Sequence, residues 1–192
     1  MTLEKFIHLK ENFIPDFVNN QFLRICKSKV AIYEEGRITG QIGDKHHVNK
    51  KVRNTYTWTL ANNNYDHLTM MHWTNYFGNY INQAMNEYMM NFTDCFNFKL
   101  IDMQVLKYNE GGFYHFHVDH GPSVPRTISS IYLINDDYEG GELIFKHPIS
   151  KEELKIEKKK NTLIMWPSNF LYPHKVLPVK QGVRYSMVTW AL

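Results

Sequence analysis

The sequence predicts a mainly β fold, an antiparallel two-sheet roll with its helices confined to the N-terminal half. Three features predict it. Segments of helical period occur only before residue 90, short alternating or β-branched runs follow one another from residue 98, and Gly, Asn and Pro punctuate those runs. With 192 residues, 43% of them hydrophobic, the chain is long enough to bury a sizeable core. We expect one domain over 1–192, with N-terminal helical support over about 1–97 and a core roll over about 98–192.

Taken in order, Phe6-Ile7-His8-Leu9 and Phe13-Ile14 suggest a short strand, and Pro15-Asp16 opens a helix on which Val18, Phe22 and Ile25 share a face. The stretch 34–51 carries Gly36, Gly40, Gly43 and the pair His46-His47 without a sustained period, so it reads as a mobile loop with those histidines on its surface. Its glycines suit a lid over substrate. Residues 52–60 alternate Tyr56, Trp58 and Leu60 with Thr55, Thr57 and Thr59, the pattern of one half-buried strand ended by Asn62-Asn63-Asn64. Met70, Trp73, Phe77, Ile81, Ala84 and Tyr88 step by three or four and predict an amphipathic helix over 68–88, with Met71, Met85 and Met89 as core filler.

Residues 98–107 are apolar on both parities, as in a strand covered on both faces. Asn109-Glu110-Gly111-Gly112 then turns the chain into a strand carrying His115, His117 and Asp119 as far as Gly121-Pro122. There follow a β-branched strand over 127–135, a hairpin turn over 136–141, a returning strand over 142–146, and strands at 154–156, 162–166 and 183–190.

The chemistry concentrates in His117-Val118-Asp119. Alternate side chains of a strand share a face, so an imidazole and a carboxylate converge on one point, a start for the 2-His-1-carboxylate set that holds a first-row divalent metal. In the strand-rich half the candidates for a third ligand are His115, His120, His147 and His174. His115 sits only two residues before His117, His120 has the opposite parity to Asp119, and His147 precedes Pro148 in a loop. His174, entering an extended piece after Pro173, is the best placed. For each histidine alone, the other reading is a hydrogen-bonded structural residue.

Ten positions beyond His174 stands Arg184, with Ser186 on the same strand parity. If that face lines the roll, a buried guanidinium needs a carboxylate or phosphate partner. The sequence supplies no obvious acidic neighbour, so a small dianionic cosubstrate is the natural one. The other reading is an Arg that snorkels outward near the end of an edge strand.

A formal charge of +3 gives no strong footprint for nucleic acid, and Lys158-Lys159-Lys160, between Glu157 and a strand, reads as a solvated turn. No nucleic-acid partner is expected. Two cysteines, Cys26 and Cys95, cannot build a disulfide framework; charges interrupt the start of the chain where a signal-peptide core would stand, and no apolar run approaches membrane-spanning length. The expectation is an intracellular, cytoplasmic protein without membrane association.

Taken together, His117-Val118-Asp119, His174, Arg184 and Ser186 resemble the 2-oxoglutarate- and Fe(II)-dependent oxygenases, specifically their prolyl 4-hydroxylase-like branch. The resemblance runs from about residue 52 onward. It includes Val52-Arg53-Asn54-Thr55, Tyr108-Asn109-Glu110-Gly111-Gly112, Tyr132-Leu133-Ile134-Asn135-Asp136-Asp137 with Glu139-Gly140-Gly141-Glu142-Leu143, and Trp190. It implies a double-stranded β-helix, or jelly roll, with Fe(II) held at the catalytic centre by His117, Asp119 and His174. It further implies that Arg184, helped by Ser186 and Tyr108, grips the far carboxylate of 2-oxoglutarate. O2 is the oxidant, ascorbate an auxiliary reductant the resemblance allows, and Arg53 a substrate contact. The implied reaction hydroxylates a substrate carbon and releases succinate and CO2. A protein or peptide side chain such as proline is the expected substrate, with a free amino acid or other small molecule as the alternative.

Two departures bear on the substrate. Collagen-acting members usually carry Lys where Arg184 stands, and nucleic-acid-demethylating relatives carry a second arginine where this chain has Trp190, which argues against base repair. On the ligand types alone, a Zn(II)-dependent hydrolase or isomerase on the same roll stays open.

Overall fold

A computed structural model describes residues 3–38, 47–60, 67–92 and 97–192. His46, Cys95, Asn62-Asn63-Asn64 and the middle of the 34–51 loop lie outside the described residues. A 3-10 turn (Leu3–Phe6) leads into β1 (His8–Glu11), α1 (Asp16–Cys26), β2 (Glu34–Glu35), β3 (Arg53–Asn54), β4 (Tyr56–Thr59) and α2 (Leu68–Met90). After them come β5 (Leu100–Tyr108), β6 (Phe113–His117), β7 (Ile128–Leu133), β8 (Glu139–Gly140) and β9 (Leu143–Lys146). The chain ends with β10 (Glu153–Lys155), β11 (Thr162–Pro167), β12 (His174–Val176), β13 (Val179–Gln181) and β14 (Arg184–Ala191).

The strands pair antiparallel into a seven-stranded sheet, β1-β11-β7-β14-β5-β4-β2, a five-stranded sheet, β10-β9-β12-β6-β3, and a β13-β8 ribbon. Period-two alternation builds the layers. Leu106, Ile131, Ile164 and Val188 of the larger sheet pack with Leu143, Phe145 and Val176 of the smaller one. Their sequence neighbours Val105, Tyr132, Leu163 and Met187 point the other way, to Phe22 of α1 and to Trp73, Phe77, Ile81 and Met85 of α2. The mainly β, jelly-roll expectation therefore holds, and both helices cover the outer face of the larger sheet, whose strands must be apolar on both faces.

Both helices form where the period placed them. Pro15, at φ −56°, pre-sets the first turn of α1. Its buried Asn19 donates to the Ile134 carbonyl (3.0 Å) and accepts from the Tyr132 hydroxyl (2.7 Å), so the polar group in this interface is satisfied. Of the methionines expected as filler in α2, Met85 is fully buried, Met89 is half-buried, and Met71 is exposed, on the solvent side of the helix.

Three expectations fail for one reason, that strand pairing is non-local. The single strand over 52–60 is two strands in two sheets: β3 pairs with β6, β4 pairs with β5, and the chain changes sheet at Thr55. There the buried Thr55 hydroxyl donates to the Lys107 carbonyl (3.0 Å). Residues 136–141 are not a hairpin turn, because β7 pairs with β11 and β14 whereas β9 pairs with β10 and β12; the segment carries the chain across the roll. The strand bearing the histidines stops at His117, which leaves Asp119 in a bend. Near the N-terminus only His8–Glu11 is extended, after the 3-10 turn.

Candidate active site

β6 and β12 are neighbours in the smaller sheet, and their register sets His117 opposite His174. The distal histidine thus arrives from the adjacent strand. His117 Nε2 lies 3.7 Å from Asp119 Oδ1, and His174 Nε2 lies 3.6 Å from Asp119 Oδ2. One ligand atom from each residue falls within 4.8 Å of the others, the sole such group of three found among the described residues.

The rings are held ready. His117 donates from Nδ1 to the His115 carbonyl (2.8 Å) and His174 from Nδ1 to the Tyr172 carbonyl (3.0 Å). A carbonyl can only accept, so in its neutral form each imidazole carries the proton on Nδ1 and leaves the Nε2 lone pair for a ligand. Tyr114 stacks on His117 at 3.6 Å between ring centres, while Trp166 packs edge-on against His174 at 5.0 Å. Burial, and then the neighbouring His174, push the His117 imidazole down to about 3. Burial would raise Asp119, but His174, His117 and a hydrogen bond from Ser129 hold its carboxyl below the ordinary value. At neutral pH the site therefore offers an unprotonated imidazole at His117 beside a carboxylate, which fits a divalent metal with no proton to displace there.

The Ser129 hydroxyl donates to Asp119 Oδ2 (2.6 Å) and meets the Ser168 hydroxyl at 2.8 Å. Ligand-orienting hydrogen bonds of this kind are worth about 10–100-fold in metal affinity. Ser129→Ala should therefore weaken Mn(II) binding about tenfold while leaving the fold intact, as read by titration and thermal melting.

The other histidines stay out of this centre. His115 contributes its carbonyl, His120 donates from Nδ1 to the Arg126 carbonyl (2.8 Å), and His147 Nδ1 accepts from the Ile149 and Ser150 amides.

A cavity of about 430 Å³ lies over the triad, walled in part by Tyr108, Tyr114, Thr57, Thr59, Trp166 and Trp190. Arg184 and Ser186 lie behind the wall residue Tyr108, both fully buried. Arg184 Nη1 donates to Ser186 Oγ (2.7 Å), and its guanidinium sits 5.0 Å from the centre of the Tyr108 ring. Its Nε and Nη2 have no partner, and no acidic side chain pairs with it among the described residues. Beside it the buried Tyr138 hydroxyl also lacks a well-formed hydrogen bond, and burial raises that phenol while Arg184 partly offsets the rise. Three orphaned donors at one spot fit the far carboxylate of a dicarboxylate. Gly141 allows this packing: at φ +65°, a Cβ there would stand 3.1 Å from Arg184 Cδ.

Arg53 lies on the cavity wall, 4.8 Å over the Tyr114 ring, and donates from Nη1 to the Arg37 carbonyl (2.8 Å). It braces the chain leading into the 39–46 stretch. Sequence reasoning missed Ser129, Tyr138 and Arg126. Tyr138 was hidden in a segment read as a turn, and Ser129 in an unremarkable Ser pair. Arg126 follows Pro125 in what looks like surface loop, yet it stacks 3.5 Å over the Trp190 ring inside the cavity.

Comparison with known proteins agrees with this geometry. Residues 103–192 match the family model of the 2OG-Fe(II) oxygenase superfamily. A PKHD-type hydroxylase of Alteromonas mediterranea is 32% identical over 109 residues, 52% of this chain and 42% of that protein, so the chain spans less than half the length of this relative. Among solved structures, a Pseudomonas putida prolyl-4-hydroxylase superposes with a TM-score of 0.70 at 18% identity, covering 96% of this chain and 91% of that one. A Trichoplax adhaerens prolyl hydroxylase, in complex with a hypoxia inducible factor peptide fragment, gives a TM-score of 0.75 at 15% identity, covering 97% and 83%. These two likenesses concern the fold. Residues 103–192 thus carry the match to the 2OG-Fe(II) oxygenase superfamily, and the chain as a whole shares the fold of the solved prolyl hydroxylases.

Proposed function

We propose that the protein is a 2-oxoglutarate- and Fe(II)-dependent hydroxylase acting on a protein or peptide side chain such as proline. The observation that carries this reading is the pairing of a His117, Asp119 and His174 cluster with a buried Arg184 that has two unpartnered nitrogens. A Zn(II) hydrolase would use the first feature but has no need of the second. The peptide held by the Trichoplax relative supports a peptide substrate here. We read 1–192 as one oxygenase domain, with the 34–51 loop as a lid; Glu34, Glu35 and Arg37 on the cavity wall and the Arg53 brace support the lid. A cytoplasmic setting is part of the same proposal. No helix among the described residues is long and apolar enough to cross a membrane.

His117, Asp119 and His174 would hold Fe(II) on one side, while Ser129 and the His115 and Tyr172 carbonyls keep their donor atoms aimed. Bound Fe(II), with 2-oxoglutarate and O2 as co-reactants, supplies oxidative decarboxylation to succinate and CO2 and delivers one oxygen atom to a substrate carbon. Arg184, Ser186, Tyr138 and Tyr108 bind and orient 2-oxoglutarate through its far carboxylate. Leu143, Val176, Val188 and Trp166 line the cavity with apolar surface that excludes water around the triad. Arg53 and Tyr114 stand where a substrate enters.

Succinate release tests this directly, with Fe(II), ascorbate and 2-oxoglutarate present and prolyl peptides, free proline and other amino acids offered in turn. We expect release that needs both iron and 2-oxoglutarate and rises with a prolyl peptide. Absence of succinate from protein shown to be folded and iron-loaded, across the whole panel, would overturn the reading.

A further inference from the structure

Resting on that reading, we propose that the prime substrate presents a carboxylate to the cavity, clamped by Arg53 and Arg126 beside the triad. Both guanidiniums are built into the wall on aromatic platforms, Arg53 at 4.8 Å from the Tyr114 ring centre and Arg126 at 3.5 Å from that of Trp190. Both have an Nε that is sealed from solvent and has no hydrogen-bond partner. Each cation feels the other and both feel Tyr114, so they form one electropositive spot rather than two separate ones.

Their protein partners are too few to satisfy them. Arg53 spends Nη1 on a neutral carbonyl, that of Arg37. Arg126 has Asp102, whose carboxylate stands 3.6 Å from Nη2, beyond a normal hydrogen bond, and whose side chain is 48% exposed. Burial holds the Arg126 pKa below the ordinary value, and Asp119 is the first of the anions that oppose that shift. Once Asp119 ligates a divalent metal, its charge is spent on the metal. A doubly negative 2-oxoglutarate then balances the remaining metal charge together with Arg184, and Asp102 balances one of the two wall arginines. Glu34 and Glu35, also on the wall, face Arg37 at 4.0 Å and Lys50 respectively. One cation at the cavity is left without a counter-charge, and a half-buried guanidinium with an unpartnered, sealed Nε suits a carboxylate. That group could be an Asp or Glu side chain beside the target residue or the α-carboxylate of a free amino acid. The chemistry is the same and the test separates the two.

The test is calorimetric titration of the full chain loaded with Mn(II) and 2-oxoglutarate, which binds without turnover. One pair of probes is the blocked peptides Gly-Pro-Asp-Gly and Gly-Pro-Asn-Gly; the other is L-proline and L-prolinamide. In one of the pairs the carboxylate member should bind at least about tenfold tighter than its amide, the scale of a charge-assisted contact. Arg126→Gln should reduce that preference to within about threefold, with Arg53→Gln acting in the same direction and Arg126→Lys retaining part of it. Equal affinities within both pairs, including no measurable binding by all four, overturn the proposal, as does a preference that Arg126→Gln leaves unchanged. Loading is measured in the same samples. Protein that takes up neither Mn(II) nor 2-oxoglutarate refutes the hydroxylase reading and this inference together, whereas loaded protein without a carboxylate preference refutes this inference alone.

Discussion

Replacing His117, Asp119 or His174 by Ala abolishes tight Mn(II) or Fe(II) binding and lowers succinate release at least about 100-fold, while His115→Ala and His120→Ala keep the metal. The cost is large because three ligands are the whole protein contribution to the facial set, and two cannot hold a divalent ion against its aqua shell. The contrast with the other two histidines is what makes the prediction specific. His115 acts through its backbone carbonyl, which Ala preserves, and the His120 ring is engaged with the Arg126 carbonyl away from the triad. The measurement is metal titration of folded variants followed by turnover. Full occupancy in His174→Ala would remove the assignment of the third ligand.

Arg184→Ala raises the 2-oxoglutarate requirement at least about tenfold, since a charge-assisted hydrogen bond is worth about 1.5–3 kcal/mol. Metal affinity stays as it is, because Arg184 is not among the converging ligand groups. Arg184→Lys loses less, keeping the charge without the planar fork, and Ser186→Ala and Tyr108→Phe shift affinity by smaller amounts in the same direction. A second readout separates this role from a structural one. In the protein without cosubstrate, Arg184 is a fully buried cation with two unpartnered nitrogens, and such a group costs stability that an apolar side chain of similar length does not. Arg184→Met should therefore melt no lower than the wild type without 2-oxoglutarate, and only the wild type should gain stability when 2-oxoglutarate is added. A sharp fall in the melting temperature of Arg184→Met, with no change in 2-oxoglutarate affinity, would make Arg184 a structural residue.

What the sequence made legible was local. The 3.6-residue period of α1 and α2 and the apolar runs of β5 and β14 are carried by neighbours in the chain, and each element formed where its pattern lay. The spacing of His117 and Asp119 is equally local, which is why it survived even though the strand ends before Asp119. Everything that depended on which strand meets which was hidden. No residue between 52 and 60 announces that Arg53 and Tyr56 belong to different sheets, because the break at Thr55 is fixed by a hydrogen bond to Lys107, far along the chain. The same holds for the crossing from β7 to β9, which brings Tyr138 beside Arg184. Arg126 illustrates the limit at the site itself: in sequence it is one basic residue after a proline, and only the closed roll supplies Trp190 beneath it and Asp102 beside it.

The central claim is that the triad and Arg184 serve one metal-bound dicarboxylate, and an anaerobic absorption spectrum tests it most directly. An α-keto acid chelating Fe(II) produces a visible charge-transfer band that neither component shows alone. The wild type, given Fe(II) and 2-oxoglutarate without O2, should develop that band; His174→Ala should not, and Arg184→Ala should develop it only at much higher 2-oxoglutarate. A wild-type protein that binds Fe(II) yet shows no band at saturating 2-oxoglutarate, or an Arg184→Ala variant that develops it at the wild-type concentration, would contradict the account.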